Sequence, residues 1–322
     1  MPARFDLHDK NDSAQRDEFL RDVVEGMRKA EKHLPCKYFY DQRGCELFDR
    51  ICELDEYYLT RTELSIMREH AAEMSACLGP NIVLIEYGSG SGVKTRLLLG
   101  HLREPTAYVP VDIAQQHLQQ SVNSLAEQFP TLPIYAVCED FSRSFSLPNE
   151  VQQVTPRFVY FPGSTMGNFS PKGTARLLSQ IAHQCGRNGG LVIGLDLQKD
   201  KAVLEAAYDD PSGVTAQFNL NLLGRINNEL GADFDLGKFR HRAIYNETAK
   251  RIEMHVVSLV RQAVHIRDHI FELHADETIC TEYSYKYELR TFDDLAREAG
   301  LRRERLWTDE REYFAVVYYS VA

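Results

Sequence analysis

Between Ile82 and Leu197 the chain alternates short apolar runs with segments whose apolar residues recur every three or four positions. The runs are Ile82–Tyr87, Ala107–Ile113, Ile134–Cys138, Arg157–Phe161 and Gly190–Leu197, and the helix-like segments between them are Lys94–Leu102, Gln115–Phe129 and Pro171–Cys185. Such alternation predicts βαβ units, and hence an α/β fold with a parallel sheet and helices on both faces. Upstream, residues 15–78 read as amphipathic helices on stripes such as Phe19, Val23, Val24 and Met27, and later Leu47, Phe48, Ile51 and Leu54. The rhythm breaks after Leu197. Residues 198–240 predict polar helix, whereas Arg251–Val260, Ala263–Leu273 and Thr278–Tyr287 predict antiparallel strands. A helix over Thr291–Gly300 and a hairpin of Leu301–Thr308 with Tyr313–Val321 close the chain. The expected division is a core of residues 66–196 plus 288–322 and a second, smaller α+β unit of residues 1–65 plus 197–287.

Composition narrows the function classes. The chain has 322 residues, 43% hydrophobic and 26% charged, which is ordinary for a globular protein with a real core. Its 37 Lys and Arg against 47 Asp and Glu leave a net charge of −10. That balance argues against nucleic-acid or anionic-membrane partners, since both need a concentrated positive field. No apolar stretch approaches the ~20 residues that cross a bilayer, and the opening Met1-Pro-Ala-Arg-Phe-Asp carries no apolar signal core. The seven cysteines are scattered and form no C-x-x-C pair, as expected of free thiols in a reducing cytoplasm. His265 and His269 would share a face if their run is one strand, but no third ligand accompanies them, so no metal site is expected. The expectation is a cytoplasmic monomer acting on a small molecule.

The strongest local signal is Ile82-Val-Leu-Ile-Glu-Tyr-Gly-Ser-Gly-Ser-Gly-Val-Lys-Thr-Arg: a buried strand, an acidic residue, three glycines and a helix. Glycines there permit a tight turn and let a ligand approach the backbone. A dinucleotide fingerprint would place a glycine or alanine where this chain has Val93, which speaks against a nicotinamide oxidoreductase. The pattern E-x-G-x-G-x-G instead resembles the first motif of class I methyltransferases, and the terminal hairpin fits their sheet. In that fold Asp112, ending the second strand, is placed to accept hydrogen bonds from ribose hydroxyls. Asp140 and Phe141, ending the third, are placed to meet adenine. Each acid alone could be a loop cap; three at successive strand ends are harder to explain as accident.

Further segments carry a more specific resemblance. They are Lys37-Tyr-Phe-Tyr-Asp with Glu46-Leu-Phe-Asp, Glu56-Tyr-Tyr-Leu-Thr-Arg-Thr-Glu, Gly163-Ser-Thr-Met-Gly-Asn, Thr281-Glu-Tyr-Ser-Tyr-Lys, Tyr208-Asp-Asp and Arg251-Ile-Glu-Met. Together they resemble the histidine N-alpha-methyltransferases of ergothioneine biosynthesis, from about residue 16 to the C-terminus. The resemblance implies a Rossmann-like class I methyltransferase with a second domain, which converts L-histidine to hercynine by three methylations from S-adenosyl-L-methionine. It implies cofactor contacts from Glu86, Gly88, Gly90, Lys94, Asp112, Asp140 and Phe141. Tyr57, Asn168 and Tyr208 would hold the amino and carboxylate end of histidine, with Tyr40, Phe48 and Gly163 lining the cavity. Glu282 and Ser284 would grip the imidazole beside Met254. Tyr40 and Asn168 are the catalytic candidates. Tyr283 and Tyr285 depart from the family by their bulk, but strand alternation would turn both away from the pocket.

Read without the resemblance, Glu282, Ser284 and Lys286 share one strand face, and the plain expectation is a solvated polar face with the tyrosines opposite. Phe48 and Tyr57 would ordinarily be core aromatics, and Asn168 a turn residue. The alternative function is a related N-methyltransferase acting on another amino acid or an indole amine, which a carboxylate at position 282 disfavours. A non-catalytic relic is disfavoured because the cofactor-facing positions are filled by competent residues.

Overall fold

The computed structural model describes residues 4–6, 12–90 and 92–322. The chain divides into two compact units. The first holds the strand Arg4–Asp6 with Leu59–Gln198 and Lys286–Ala322; the second holds residues 12–58 and Lys199–Tyr285.

The first unit is built on an eight-stranded sheet. Its order is Arg4–Asp6, Tyr135–Cys138, Ala107–Asp112, Val83–Tyr87, Arg157–Phe161, Gly190–Asp196, Phe314–Val321 and Leu301–Thr308. The first six are parallel; of the terminal hairpin, Phe314–Val321 runs antiparallel to them and Leu301–Thr308, antiparallel to Phe314–Val321, returns to their direction. Every residue of Val83–Tyr87 and of Gly190–Asp196 is buried, so both faces of the sheet are covered, as the continuous apolar runs require. Successive strands proceed outward from Val83–Tyr87 in one direction to Tyr135–Cys138, then resume on its other side with Arg157–Phe161. The chain therefore reverses its winding beside the glycine-rich turn, and in open α/β sheets such a switch point is where ligands bind. The strand Arg4–Asp6 lies outside the elements expected from sequence, and it joins this sheet rather than the second unit.

The second unit carries a four-stranded sheet ordered Lys32–His33, Thr278–Tyr285, Arg251–Ser258 and Phe239–Asn246. Its helices are Asp12–Met27, Gln42–Glu53, Lys201–Tyr208 and Val214–Leu230. Two sequence expectations change here. The strand Phe239–Asn246 begins inside the stretch read as helical. The run Ala263–Leu273 is a hairpin, Gln262–Ile266 with His269–Leu273, turning through Arg267 at φ 50°. His265 therefore faces Ile270 across the ladder and His269 faces Ile266, so the two histidines lie on opposite faces and share none. His265 instead meets Asp233 at 2.8 Å. Among the described residues no cluster of metal-ligating side chains forms, and no described helix is long and apolar enough to cross a membrane.

Candidate active site

In the first unit the strand Val83–Tyr87 runs into a turn whose backbone needs glycine. Gly88 and Gly90 sit at φ 73° and 45°, where a side chain is strained. A Cβ on Gly90 would meet nothing within 4 Å, so the turn is open to an approaching ligand. The Ser89 hydroxyl between them is buried without a hydrogen-bond partner among the described residues. Such a group is what a bound polar ligand would satisfy.

Four acidic residues surround this turn, each differently placed. Asp112, at the end of Ala107–Asp112, accepts the Ala114 N–H at 2.9 Å. Burial pushes its carboxyl up, while N–H groups of Ala114, Gly90 and Ile113 hold it down, so the carboxylate also ties the turn. Asp140 accepts from the Ser142 N–H at 3.0 Å and from its hydroxyl at 2.5 Å. Phe141 beside it stacks on Tyr87 with centroids 5.2 Å apart and meets Phe161 edge-on at 5.4 Å, a fixed aromatic wall. Glu86 is buried, with its oxygens taken by the hydroxyls of Thr95, at 2.6 and 2.8 Å, and of Tyr108. Burial pushes its carboxyl up to about 8. Glu86 thus braces the turn from behind, fastening its strand to the helix Val93–Leu99.

The fourth acid, Glu63 on the helix Tyr58–Leu78, closes the segment Glu56–Glu63 that carries part of the resemblance, but sequence reading gave it no role. It is fully buried, takes Lys94 Nζ at 2.5 Å and accepts the Gly163 N–H at 3.0 Å. Gly163 opens the turn that carries Asn168. That turn is pinned twice more: Ser164, at φ 60°, accepts the Asp196 N–H at 2.9 Å, and the Tyr287 hydroxyl donates to the Met166 carbonyl at 3.0 Å. Lys94, Gly163 and Asn168 are therefore joined through one hydrogen-bonded framework.

In the second unit Tyr40, Phe48, Tyr57 and Tyr208 form a chain of edge-on rings, with centroid separations of 5.7 Å, 6.2 Å and 6.1 Å along it. Phe218, not singled out from sequence, meets both Tyr40 and Phe48 at 5.9 Å. The Tyr208 hydroxyl lies 2.9 Å from Ser284 Oγ. Burial raises the Tyr57 pKa first, and the neighbouring Tyr208, Cys52, Glu282 and Tyr40 raise it further, so its hydroxyl stays protonated. Met254 faces Glu282 across the ladder. The strand alternates as expected, but the burial is inverted from the plain reading. Glu282 and Ser284 are 8% and 3% exposed, whereas Tyr283 and Tyr285 are only half-buried. Arg251 roofs the tyrosine face, 3.6 Å above the Tyr283 ring, and donates to the Tyr285 hydroxyl at 2.7 Å. The polar residues face inward and the bulky ones outward.

A family model described as histidine-specific methyltransferase, SAM-dependent, matches residues 19–321. The chain belongs to that family. Its methyl donor is S-adenosylmethionine, and the fold is that of a class I methyltransferase, an α/β sheet closed by an antiparallel hairpin. Among curated relatives, this histidine-specific methyltransferase is similar to the histidine N-alpha-methyltransferase of Mycobacterium tuberculosis, 41% identical over 92% of each chain. It is also similar to that of Mycolicibacterium smegmatis, 40% identical over 90% of each. Ergothioneine biosynthesis protein 1 of Neurospora crassa is 28% identical over 88% of this chain, which spans 32% of that longer protein.

Residues of the first unit fit S-adenosylmethionine. An open glycine turn, an unsatisfied buried hydroxyl, two strand-end carboxylates and an aromatic face match a ligand with ribose, adenine and an amino-acid tail, and the turn need not cradle a pyrophosphate.

Proposed function

We propose that this enzyme methylates the α-amino group of L-histidine three times, giving hercynine for ergothioneine biosynthesis. The observation that carries the reading is the inward pair Glu282 and Ser284 on one buried strand face, with Ser284 bonded to Tyr208. Imidazole has two nitrogens, one of which can always donate. A buried carboxylate and a hydroxyl two residues apart suit its two edges, whereas an indole, with a single N–H, would leave one of them unpaired.

The cofactor supplies a methyl group already activated on a sulfonium. What remains for the protein is to hold the amine neutral and in line with the methyl carbon, which is catalysis by positioning. An α-amino group has a pKa of about 8, so a large fraction must shed its proton before attack. In this reading the protonated Tyr57 hydroxyl, Tyr208 and Asn168 hold the amino and carboxylate end of histidine. Gly163 and Met254 complete the lining, and Glu282 and Ser284 grip the ring. The product's quaternary ammonium has no N–H left to donate, and the rings of Tyr40 and Phe48 offer it cation–π attraction instead. On the cofactor, Asp112 takes the ribose, Asp140 and Phe141 the adenine, and Gly88, Gly90 and Lys94 the remainder, while Glu86 braces the turn. The first unit is then the cofactor domain and the second the acceptor domain, in a cytoplasmic monomer.

The test is methyl transfer from S-adenosylmethionine to each free amino acid, read by mass. Histidine alone should gain methyl groups, ending at three. A single methyl addition, or preference for another amino acid, would overturn the reading.

A further inference from the structure

Behind the acceptor residues of the second unit lies a buried polar chain that none of the proposed roles uses. Asn219, on the helix Val214–Leu230, is fully buried, as is Thr281 on the strand Thr278–Tyr285. The Asn219 amide group donates to the His255 carbonyl at 3.0 Å and meets His241 Nδ1 at 2.8 Å. Its oxygen accepts from the Thr281 hydroxyl at 2.6 Å, which also lies 3.1 Å from the Met254 carbonyl. On the far side of the imidazole, His241 Nε2 lies 2.8 Å from the Tyr208 carbonyl.

Two backbone carbonyls fix the Asn219 amide orientation and the His241 tautomer. The His255 carbonyl can only accept, so the nitrogen of Asn219 must face it, and the same nitrogen then faces His241. His241 Nδ1 must therefore accept, which leaves the ring proton on Nε2. The Tyr208 carbonyl can also only accept, and that proton points at it. The His241 side chain is 2% exposed, which favours the neutral ring this arrangement needs. Asp209, 3.9 Å from Nε2, and Asp210 are the acids that pull the other way, and burial outweighs them.

We propose that Asn219 and His241 are positioning residues that set the acceptor site's geometry, holding Tyr208 by its carbonyl through a single imidazole tautomer. The chain reaches the strands and helix that carry Tyr208, Met254, Glu282 and Ser284. Tyr208 ends its helix, where the last carbonyls lack intrahelical donors, and the next residues are Asp209 and Asp210. The imidazole supplies the missing donor, so the Tyr208 ring and hydroxyl are delivered to Ser284 from an anchored backbone. Fully satisfied buried networks of this kind rigidify one arrangement rather than add much stability. The inference rests on the reading of Tyr208 as an acceptor contact.

The test separates the two ring nitrogens. His241→Asn keeps an acceptor near Nδ1 but cannot reach the Tyr208 carbonyl, whereas His241→Gln keeps a donor near Nε2. Calorimetry with L-histidine at saturating S-adenosylhomocysteine should show H241N binding histidine about tenfold more weakly, the loss of one buried hydrogen bond. H241Q should stay within about threefold of wild type, and S-adenosylhomocysteine affinity should be unchanged in both. Long-range proton–nitrogen NMR of the imidazoles should show His241, identified by its loss in the variants, protonated on Nε2. Equal weakening by Asn and Gln, a parallel loss of cofactor affinity, or a proton on Nδ1 would overturn the proposal. Tyr208→Phe tells its failure from that of the site itself. If Y208F weakens histidine binding and H241N does not, the positioning role falls alone. If Y208F binds histidine as wild type does, the reading of Tyr208 falls first.

Discussion

Replacing Glu63 by glutamine removes a charge from the first unit while keeping shape and one acceptor. The Gly163 N–H can still bond to the amide oxygen. Lys94, which met a carboxylate oxygen at 2.5 Å, now meets either a neutral oxygen or an amide donor. Breaking a fully buried ion pair costs about 3–5 kcal/mol, and losing a hydrogen bond to a charged group about 1.5–3 kcal/mol. The Lys94 side chain is 20% exposed and can turn to water, so the lower figure governs. A loss of about 2 kcal/mol corresponds to roughly thirtyfold in an equilibrium constant. That loss falls on folding, because Glu63 holds Lys94 in the free and the bound protein alike, and should appear as a lower urea midpoint. In the proposed site the bound state also needs the lysine aimed, and we expect the dissociation constant for S-adenosylmethionine, by calorimetry, to rise about tenfold in E63Q. Glu63→Ala should be worse on both measures. It leaves the Gly163 N–H unpaired and opens a void beside Gly194, where any Cβ would now stand 2.5 Å from the carboxylate. Wild-type cofactor affinity together with a wild-type urea midpoint in E63Q would refute the assignment of Glu63 as the brace of Lys94.

Three further outcomes follow from the same geometry. Asp112→Ala should weaken S-adenosylmethionine binding at least about tenfold by calorimetry, through loss of charge-assisted bonds; unchanged affinity would remove Asp112 from the cofactor site. Glu282→Ala should lower kcat/KM for histidine by about tenfold to a hundredfold, leave cofactor affinity unchanged and make tryptophan a detectable substrate, and an unmoved histidine-to-tryptophan ratio in competition would contradict it. Burial pushes the Glu86 carboxyl up to about 8 in the fold from its ordinary value of 4.5, so the native state binds a proton that the unfolded chain releases. Wild-type stability should therefore fall as pH rises between those values, and Glu86→Gln should flatten that slope in urea titrations; parallel slopes would show that Glu86 is ionised in the fold.

Much of the sheet was legible because buried parallel strands are written as unbroken apolar runs. Ile82–Tyr87, Arg157–Phe161 and Gly190–Leu197 match their observed strands to within a residue. Elements without such a run were missed. Arg4–Asp6 is too short to show any period. Phe239–Asn246 buries Phe239, Ala243 and Tyr245 but intersperses charged and polar residues, so its first two residues read as polar helix and the rest as no element. The hairpin at Arg267 lacks the glycine, asparagine or proline that announces a turn, and a positively charged residue takes the left-handed conformation instead. At the candidate site, period-two alternation correctly grouped Glu282 with Ser284 against Tyr283 and Tyr285. It did not say which face is inside, because that depends on Arg251 covering the tyrosines from the neighbouring strand. Glu63 and Phe218 sit on ordinary helical stripes. Their partners Gly163 and Phe48 are distant in sequence, and no local pattern reports such a contact.

Three buried acids of the first unit lie at neighbouring positions along the sheet, and their charge is removed in two ways, by a retained proton or by a lysine. Glu86, near the end of Val83–Tyr87, keeps its proton. Glu63, which holds the turn after Arg157–Phe161, is neutralised by Lys94. Asp196, ending Gly190–Asp196, pairs with Lys286 at 2.8 Å, both side chains wholly buried. A buried ion pair is weak evidence of stability, since apolar residues of the same size usually serve as well. The placement of these acids is better explained by what they fasten. Each secures the carboxyl end of one of three adjacent strands, the edge at which open α/β sheets bind ligands. Turns held from behind in this way lose little further freedom on binding, and that saving appears as affinity. In the proposed site an acid of the glycine motif then need not touch the cofactor: Glu86 would serve the ligand by holding the turn, and contact would fall to Asp112 and Asp140.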